Sequence, residues 1–177
     1  MTQLTREVGP RDHIQGKPDA DVALVEYGDY ECPYCGMAYW VVKRLQSEFG
    51  DSVAFVYRHF PLSQIHPHAL HAAFAAEAAA LQGKFGQMHD TLFENQNALD
   101  DASLLRYALA LGLDRDRFIR DMRSDQTAQK VREDFMTGVR SGVNGTPTFF
   151  LNGQRHDQWY EYDALRSAIQ STRIARV

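Results

Sequence analysis

Residues 22–35 read Val22-Ala23-Leu24-Val25-Glu26-Tyr27-Gly28-Asp29-Tyr30-Glu31-Cys32-Pro33-Tyr34-Cys35, and this stretch decides the fold. Val22 to Tyr27 is a mostly apolar run of β-formers that stops at Gly28-Asp29, the pattern of a strand buried on both faces. From Pro33 the period changes. Met37, Ala38, Val41, Val42, Leu45 and Phe49 recur at spacings of three and four, which predicts a helix with those residues as its apolar stripe. Gly50 is the expected stop. Val53-Ala54-Phe55-Val56-Tyr57 then reads as a second strand. Strand, helix, strand with short joints predicts a parallel pair joined by a right-handed crossover.

Working outward, residues 1 to about 20 form a polar, irregular lead-in with a short edge strand expected around His13-Ile14. Downstream, a helical block runs from about His66 to Gly142. Its first helix is rich in alanine (Ala69, Ala72, Ala73, Ala76, Ala79, Ala80), so another helix can approach closely. Asp101 or Ser103 is the expected N-cap of the helix carrying Leu104, Leu105 and Ala108. Phe118, Ile119 and Met122 mark a short helix, and Ala128, Val131, Phe135 and Val139 a longer one. Strand character returns at Thr148-Phe149-Phe150-Leu151, and Asn152-Gly153 signals a tight hairpin. A last helix is expected over about Tyr162 to Ile174.

A chain of 177 residues, 44% hydrophobic and 24% charged, can bury a core without disulfides. Its net charge of -4 offers no positive field to nucleic acid or an anionic membrane. No run is long enough to cross a bilayer, so neither nucleic acid nor membrane insertion is expected. The only two cysteines stand three positions apart. A loop that small is a poor staple, so the pair calls for a chemical explanation.

Cys32 falls where strand gives way to helix. The first turn of a helix offers unpaired N–H groups and a dipole that favour a thiolate, the nucleophile of disulfide exchange. Cys35, one turn on, lies on the same face and can resolve a mixed disulfide formed at Cys32. Pro33 fits the first helical position, where its missing N–H costs nothing. Near the other end, Gly145-Thr146-Pro147 precedes a strand. A cis Thr146-Pro147 bond there would free the Thr146 backbone to pair with an extended substrate segment. Glu26, an acid in an apolar strand, should have a raised pKa and could exchange a proton with Cys35.

With these residues in place, the chain resembles the DsbA-like branch of the thioredoxin superfamily. The resemblance rests on Cys32-Pro33-Tyr34-Cys35, on Val25-Glu26-Tyr27-Gly28-Asp29-Tyr30, on Tyr57-Arg58-His59-Phe60-Pro61-Leu62 and on Gly145-Thr146-Pro147-Thr148-Phe149-Phe150. It implies an α/β thioredoxin fold, with βαβ and ββα halves and an inserted helical domain. The expected organisation is a single domain over 1–177, its thioredoxin core at 13–62 and 143–177 and its helical insertion at 63–142. Cys32 and Cys35 would form the redox disulfide, with Cys32 the exposed nucleophile and Glu26 the buried acid. Pro33, Tyr34, Thr146 and Pro147 would support the pair and its substrate. Two positions depart from the best-known members, which carry histidine where Tyr34 stands and an apolar residue where Thr146 stands. Both departures lean the expected direction towards reduction or isomerisation.

The resemblance further implies no metal, nucleotide or flavin, because the cysteine pair is itself the redox centre, with glutathione as a co-substrate option. The implied partners are protein thiols or disulfides, or glutathione, and a recycling reductase or oxidase. Residues 1–7 lack an apolar signal core, so a cytoplasmic location is expected, or an exported one if a leader has been removed. Three rival readings stand beside this one: a glutathione-dependent transferase or isomerase on the same fold, a non-catalytic binding or chaperone module, and a zinc-bridged dimer. His66, His68 and His71 are read as a solvated helix start with no carboxylate beside them at ligand spacing, and His59 as a packed, hydrogen-bonded residue.

Overall fold

The computed structural model describes residues 2–175; Met1, Arg176 and Val177 lie outside the described residues. Two parallel strands form its centre, β2 (Val22–Gly28) and β3 (Val53–His59), joined by helix α1 (Pro33–Phe49). Strand β1 (His13–Gln15) lies antiparallel on the outer side of β3. On the other side of β2 come β4 (Thr148–Leu151) and β5 (Gln154–Arg155), a hairpin turned by Asn152 and Gly153 at φ 45° and 84°. The sheet order is therefore β1-β3-β2-β4-β5. Helices α2 (Ala69–Ala80), α3 (Phe85–Glu94), α4 (Asp101–Ala110), α5 (Arg115–Met122) and α6 (Asp125–Arg140) lie between β3 and β4, and α7 (Tyr162–Ile174) follows the hairpin.

Alternation along the central strands makes two cores. Val22, Leu24, Phe55, Tyr57, Phe149 and Leu151 face a large core shared with α1, α7 and the alanine-rich side of the block. Val25, Tyr27, Val56 and Phe150 face a smaller one, closed by Phe60 and by Phe135 of α6, whose rings stack at 4.4 Å. Period two puts Glu26 on the same side as Leu24, the face on which α1 and both cysteines sit. Almost every alanine of α2 is buried, because helices approach it from several directions.

Three local expectations are corrected. Met37 is 53% exposed and Val139 46% exposed. The buried face of α1 is Cys35, Ala38, Tyr39, Val42 and Leu45, and Met37 lies off that arc. Helix α4 is capped by Asp100, whose carboxylate accepts the Ser103 N–H, rather than by Asp101 or Ser103. The lead-in is more ordered than its composition suggests. Leu4 N–H donates to Gly153 and Arg155 N–H to Thr2, which covers the free edge of β5. Fully buried Arg58 holds this segment through Asp12 and the Arg6 and Glu7 carbonyls.

Candidate redox site

At Gly28 β2 ends, and three residues carry the chain to Cys32, the N-cap of α1, with Pro33 as the first helical residue. The buried Asp29 carboxylate shapes this turn. It accepts the N–H groups of Glu31 and Leu62, each at 2.8 Å, and bonds His66 Nδ1 at 2.8 Å. Glu31 in turn bonds His68 through its backbone N–H and its ring at 2.6 and 2.8 Å, and His71 pairs with Asp101. Each of these histidines therefore meets a carboxylate brought to it by the fold, none of them at ligand spacing in the sequence. Sequence spacing could not show this, because every partner lies 30 or more residues away.

Both cysteines are free thiols. Cys32 is 3% exposed, which corrects the expectation of an exposed nucleophile: its thiol is covered by the loop before β4 and donates to the Thr146 carbonyl at 3.5 Å. Its pKa is lowered to about 6, chiefly by a hydrogen bond from the Cys35 thiol; burial opposes the shift. The Thr146 hydroxyl and the N–H groups of Tyr34 and Cys35 add to it. That hydroxyl is buried with no partner among the described residues, so it is free to turn to the sulfur once the thiol ionises. Cys35 is fully buried, accepts the Asp29 N–H at 3.4 Å, and is held as a thiol by burial, with its pKa well above the usual range. The two sulfurs are thus poised in opposite protonation states near neutral pH.

Beneath them, Glu26 is paired in register with Tyr57 on β3 and Phe149 on β4. Burial, and then the charge of Cys32, raise its pKa to about 8. Glu26 Oε1 and the Tyr57 hydroxyl are both buried with no hydrogen-bond partner among the described residues. They lie 3.0 and 2.9 Å from the point where a Cβ on Gly28 would sit, so a glycine there leaves their space open. Above the pair, the Thr146–Pro147 bond is cis. Thr146, Pro147, Tyr34, Trp159 and Tyr160 help line a cleft of about 430 Å³. Tyr160 lies near enough for the charges of Cys32 and Cys35, after burial, to raise its pKa. Tyr34, Met37 and Trp40 continue outward along α1 as an exposed apolar stripe. Trp159 and Tyr160 carry no motif, and only the fold brings them to the cleft.

Elsewhere, His59, Glu77 and Asp134 place metal-ligand atoms within 4.8 Å of one another. Lys130 already supplies a cation there, 2.6 Å from Asp134 and 4.0 Å from Glu77, and Arg6 reaches Asp134 at 2.8 Å. The donor set is that of an internal ion cluster.

A Cys-x-x-Cys at the start of the helix after the first central strand, facing a cis-proline loop before β4, marks a thioredoxin-fold oxidoreductase architecture. The chain belongs to the thioredoxin family, whose sequence profile, described as Thioredoxin, matches residues 9–171. Solved structures share this fold. A thioredoxin-like oxidoreductase from Silicibacter pomeroyi is 31% identical with a TM-score of 0.84, over 94% of each chain. Oxidised BdbD from Bacillus subtilis is 23% identical with a TM-score of 0.82, over 93% of this chain and 94% of that one, a likeness of fold. Curated relatives include the Na(+)/H(+) antiporter NhaA 1 of Mycobacterium sp. strain KMS, 44% identical over 96% of this chain and 28% of its own length. NhaA 3 of Salinispora tropica is 48% identical over 91% and 24%. The chain spans about a quarter of the length of these relatives. Among the described residues, no helix is long and apolar enough to cross a membrane.

Proposed function

We propose that the chain is a thiol–disulfide oxidoreductase that exchanges disulfides with protein thiols through Cys32 and Cys35. One observation carries the reading: an acidic thiol at the N-cap of α1 stands against a partner thiol that burial keeps protonated. In disulfide donation, a substrate thiolate attacks the Cys32 sulfur of the Cys32–Cys35 disulfide and expels Cys35. The Cys35 sulfur takes a proton, and Glu26, protonated below about pH 8, is placed to give it. A second substrate thiolate then attacks the substrate sulfur of the mixed disulfide and releases Cys32 as a thiolate. The substrate leaves oxidised and the pair reduced. Reduction is the reverse path, with Glu26 accepting the Cys35 proton.

The acidity of Cys32 supports the donating direction, because a stabilised thiolate favours the dithiol and is a good leaving group. This runs against the lean drawn from Tyr34 and Thr146. The mixed apolar and polar cleft beside Thr146 and Pro147 suits an extended peptide better than glutathione alone. The recycling partner would dock on the Tyr34–Met37–Trp40 stripe that begins between the two cysteines.

The test is the reduction potential of the pair in glutathione redox buffers, together with trapping in Cys35→Ala. A potential above the cytosolic glutathione poise supports donation and an oxidising compartment; a value below it supports reduction. A mixed disulfide at Cys32 should accumulate in Cys35→Ala on addition of a disulfide-bonded protein. Its absence, with no disulfide forming in the unmodified protein, would sink the proposal.

A further inference from the structure

One contact to the Cys32 loop takes no part in the exchange steps above. Gln96 lies just beyond α3, in the helical block, some sixty residues from the cysteines in sequence. Its side-chain Nε2 donates to the backbone carbonyls of Tyr30 at 2.8 Å and Cys32 at 2.9 Å. Both hydrogens of one amide are therefore used on the loop that carries the nucleophile. The Cys32 carbonyl also accepts the first helical N–H of α1, from Gly36 at 3.1 Å. Gln96 Oε1 fills the space that a Cβ on Gly36 would take.

We infer that Gln96 is a positioning residue for the redox centre: its amide ties the Tyr30 and Cys32 carbonyls and so fixes the loop that carries the Cys32 sulfur, and residue 36 is glycine to admit that amide. The inference deepens the proposed exchange and rests on it. A carbonyl oxygen carries partial negative charge. Without Gln96 the Tyr30 carbonyl would lose this donor and the Cys32 carbonyl would keep only the Gly36 N–H, loosening the first turn whose N–H groups support the thiolate. The demand on the side chain is specific. It must present two donors on one nitrogen, at glutamine length, from a neighbouring element. Glutamate has the length and no donors, asparagine is one methylene short, and methionine has the volume with no polar function. The Gln96 amide is the far end of a flexible side chain, so a methyl at residue 36 could displace it, but only by breaking both hydrogen bonds.

The experiment follows the rate at which iodoacetamide alkylates Cys32 in the reduced full chain across pH 4.5–8, with the urea midpoint measured in parallel. Gln96→Ala and Gln96→Met should shift the profile upward, so that alkylation at pH 5 falls about threefold, half a pH unit. Gln96→Glu should fall at least as far. Gly36→Ala should match Gln96→Ala, and the double variant should be no slower than either alone, the mark of one shared interaction. Additive effects, or an unmoved profile in Gln96→Met, overturn the inference; so does a loss of stability without a change in profile. Should Gly36→Ala not fold, Gln96→Met and Gln96→Glu decide alone. An ordinary thiol profile in the unmodified protein would instead defeat the reading of Cys32 on which this one rests.

Discussion

Glu26 on β2 and Glu77 on α2 are both buried, 1% and 6% exposed, and burial alone would raise the pKa of either. Their surroundings send them opposite ways. Around Glu77, burial is outweighed by hydrogen bonds from His13 and His59 to one carboxylate oxygen, at 2.8 and 2.7 Å, which hold the carboxyl well below the usual range. Glu26 has no such partner, one oxygen is orphaned, and its pKa rises to about 8. The two regions differ in task. Glu77 ties the helical block to β1 and β3 and is a permanent anion. Glu26 sits beneath the cysteine pair, and a pKa of about 8 lets it change its proton near neutral pH. Lys130 and Arg6 stand with the acids where the block meets the sheet, whereas thiol, hydroxyl and N–H hydrogen bonds surround Cys32.

The contrast can be broken first at Glu77. Glu77→Ala leaves half-buried His13 and buried His59 without their shared acceptor and should cost about 3 kcal/mol or more, read as a lower urea midpoint. The Cys32 alkylation profile of the folded variant should not move. A midpoint within error of the parent would mean that the cluster holds nothing together.

Glu26 should respond in the opposite sense. Its folded pKa lies above the ordinary value of 4.5, so its stabilising contribution is full below pH 4.5 and is lost as pH rises through about 8. For Glu77, whose folded pKa lies below 4.5, the contribution is present above pH 4.5 and lost as pH falls. In a Cys32→Ser background, which removes the thiolate's own pH dependence, Glu26→Leu should gain stability over its parent between pH 5 and 8.5, on the order of 3 kcal/mol. A difference flat across that range would show that Glu26 titrates normally.

Smaller effects sharpen the redox side. Cys35→Ala removes the main hydrogen bond to Cys32 and should slow Cys32 alkylation at pH 5 by about tenfold, one pH unit. Thr146→Val removes the hydroxyl alone and should slow it about threefold. Were Thr146→Val the more damaging change, the hydroxyl would outrank the partner thiol in holding the thiolate.

Much of this was legible in the sequence, and the reason is locality. Apolar runs, the Asn152-Gly153 turn and the spacing within α6 and α7 are short-range signals that set the strand and helix order. Cys32, Cys35, Glu26 and Thr146-Pro147 are conspicuous because each breaks its local pattern. Gln96 and Glu77 break nothing. A glutamine in a loop and a glutamate in an alanine-rich helix read as surface residues until the fold brings Cys32 to one and His13 and His59 to the other. Met37 failed for another reason. Helical spacing identifies an apolar stripe but does not say which flank of it stays open beside a reacting group.

The cover that the lead-in gives β5 has a geometric consequence. Gln3 and Ala175, near the two ends of the described chain, line one hollow with Ala23 at the start of β2. Cys32 lies beyond the far end of that strand, roughly 20 Å away for seven residues at strand rise. Gln3, Ala23 and Ala175 therefore gather at one end of the sheet, and the thiol stands at the other.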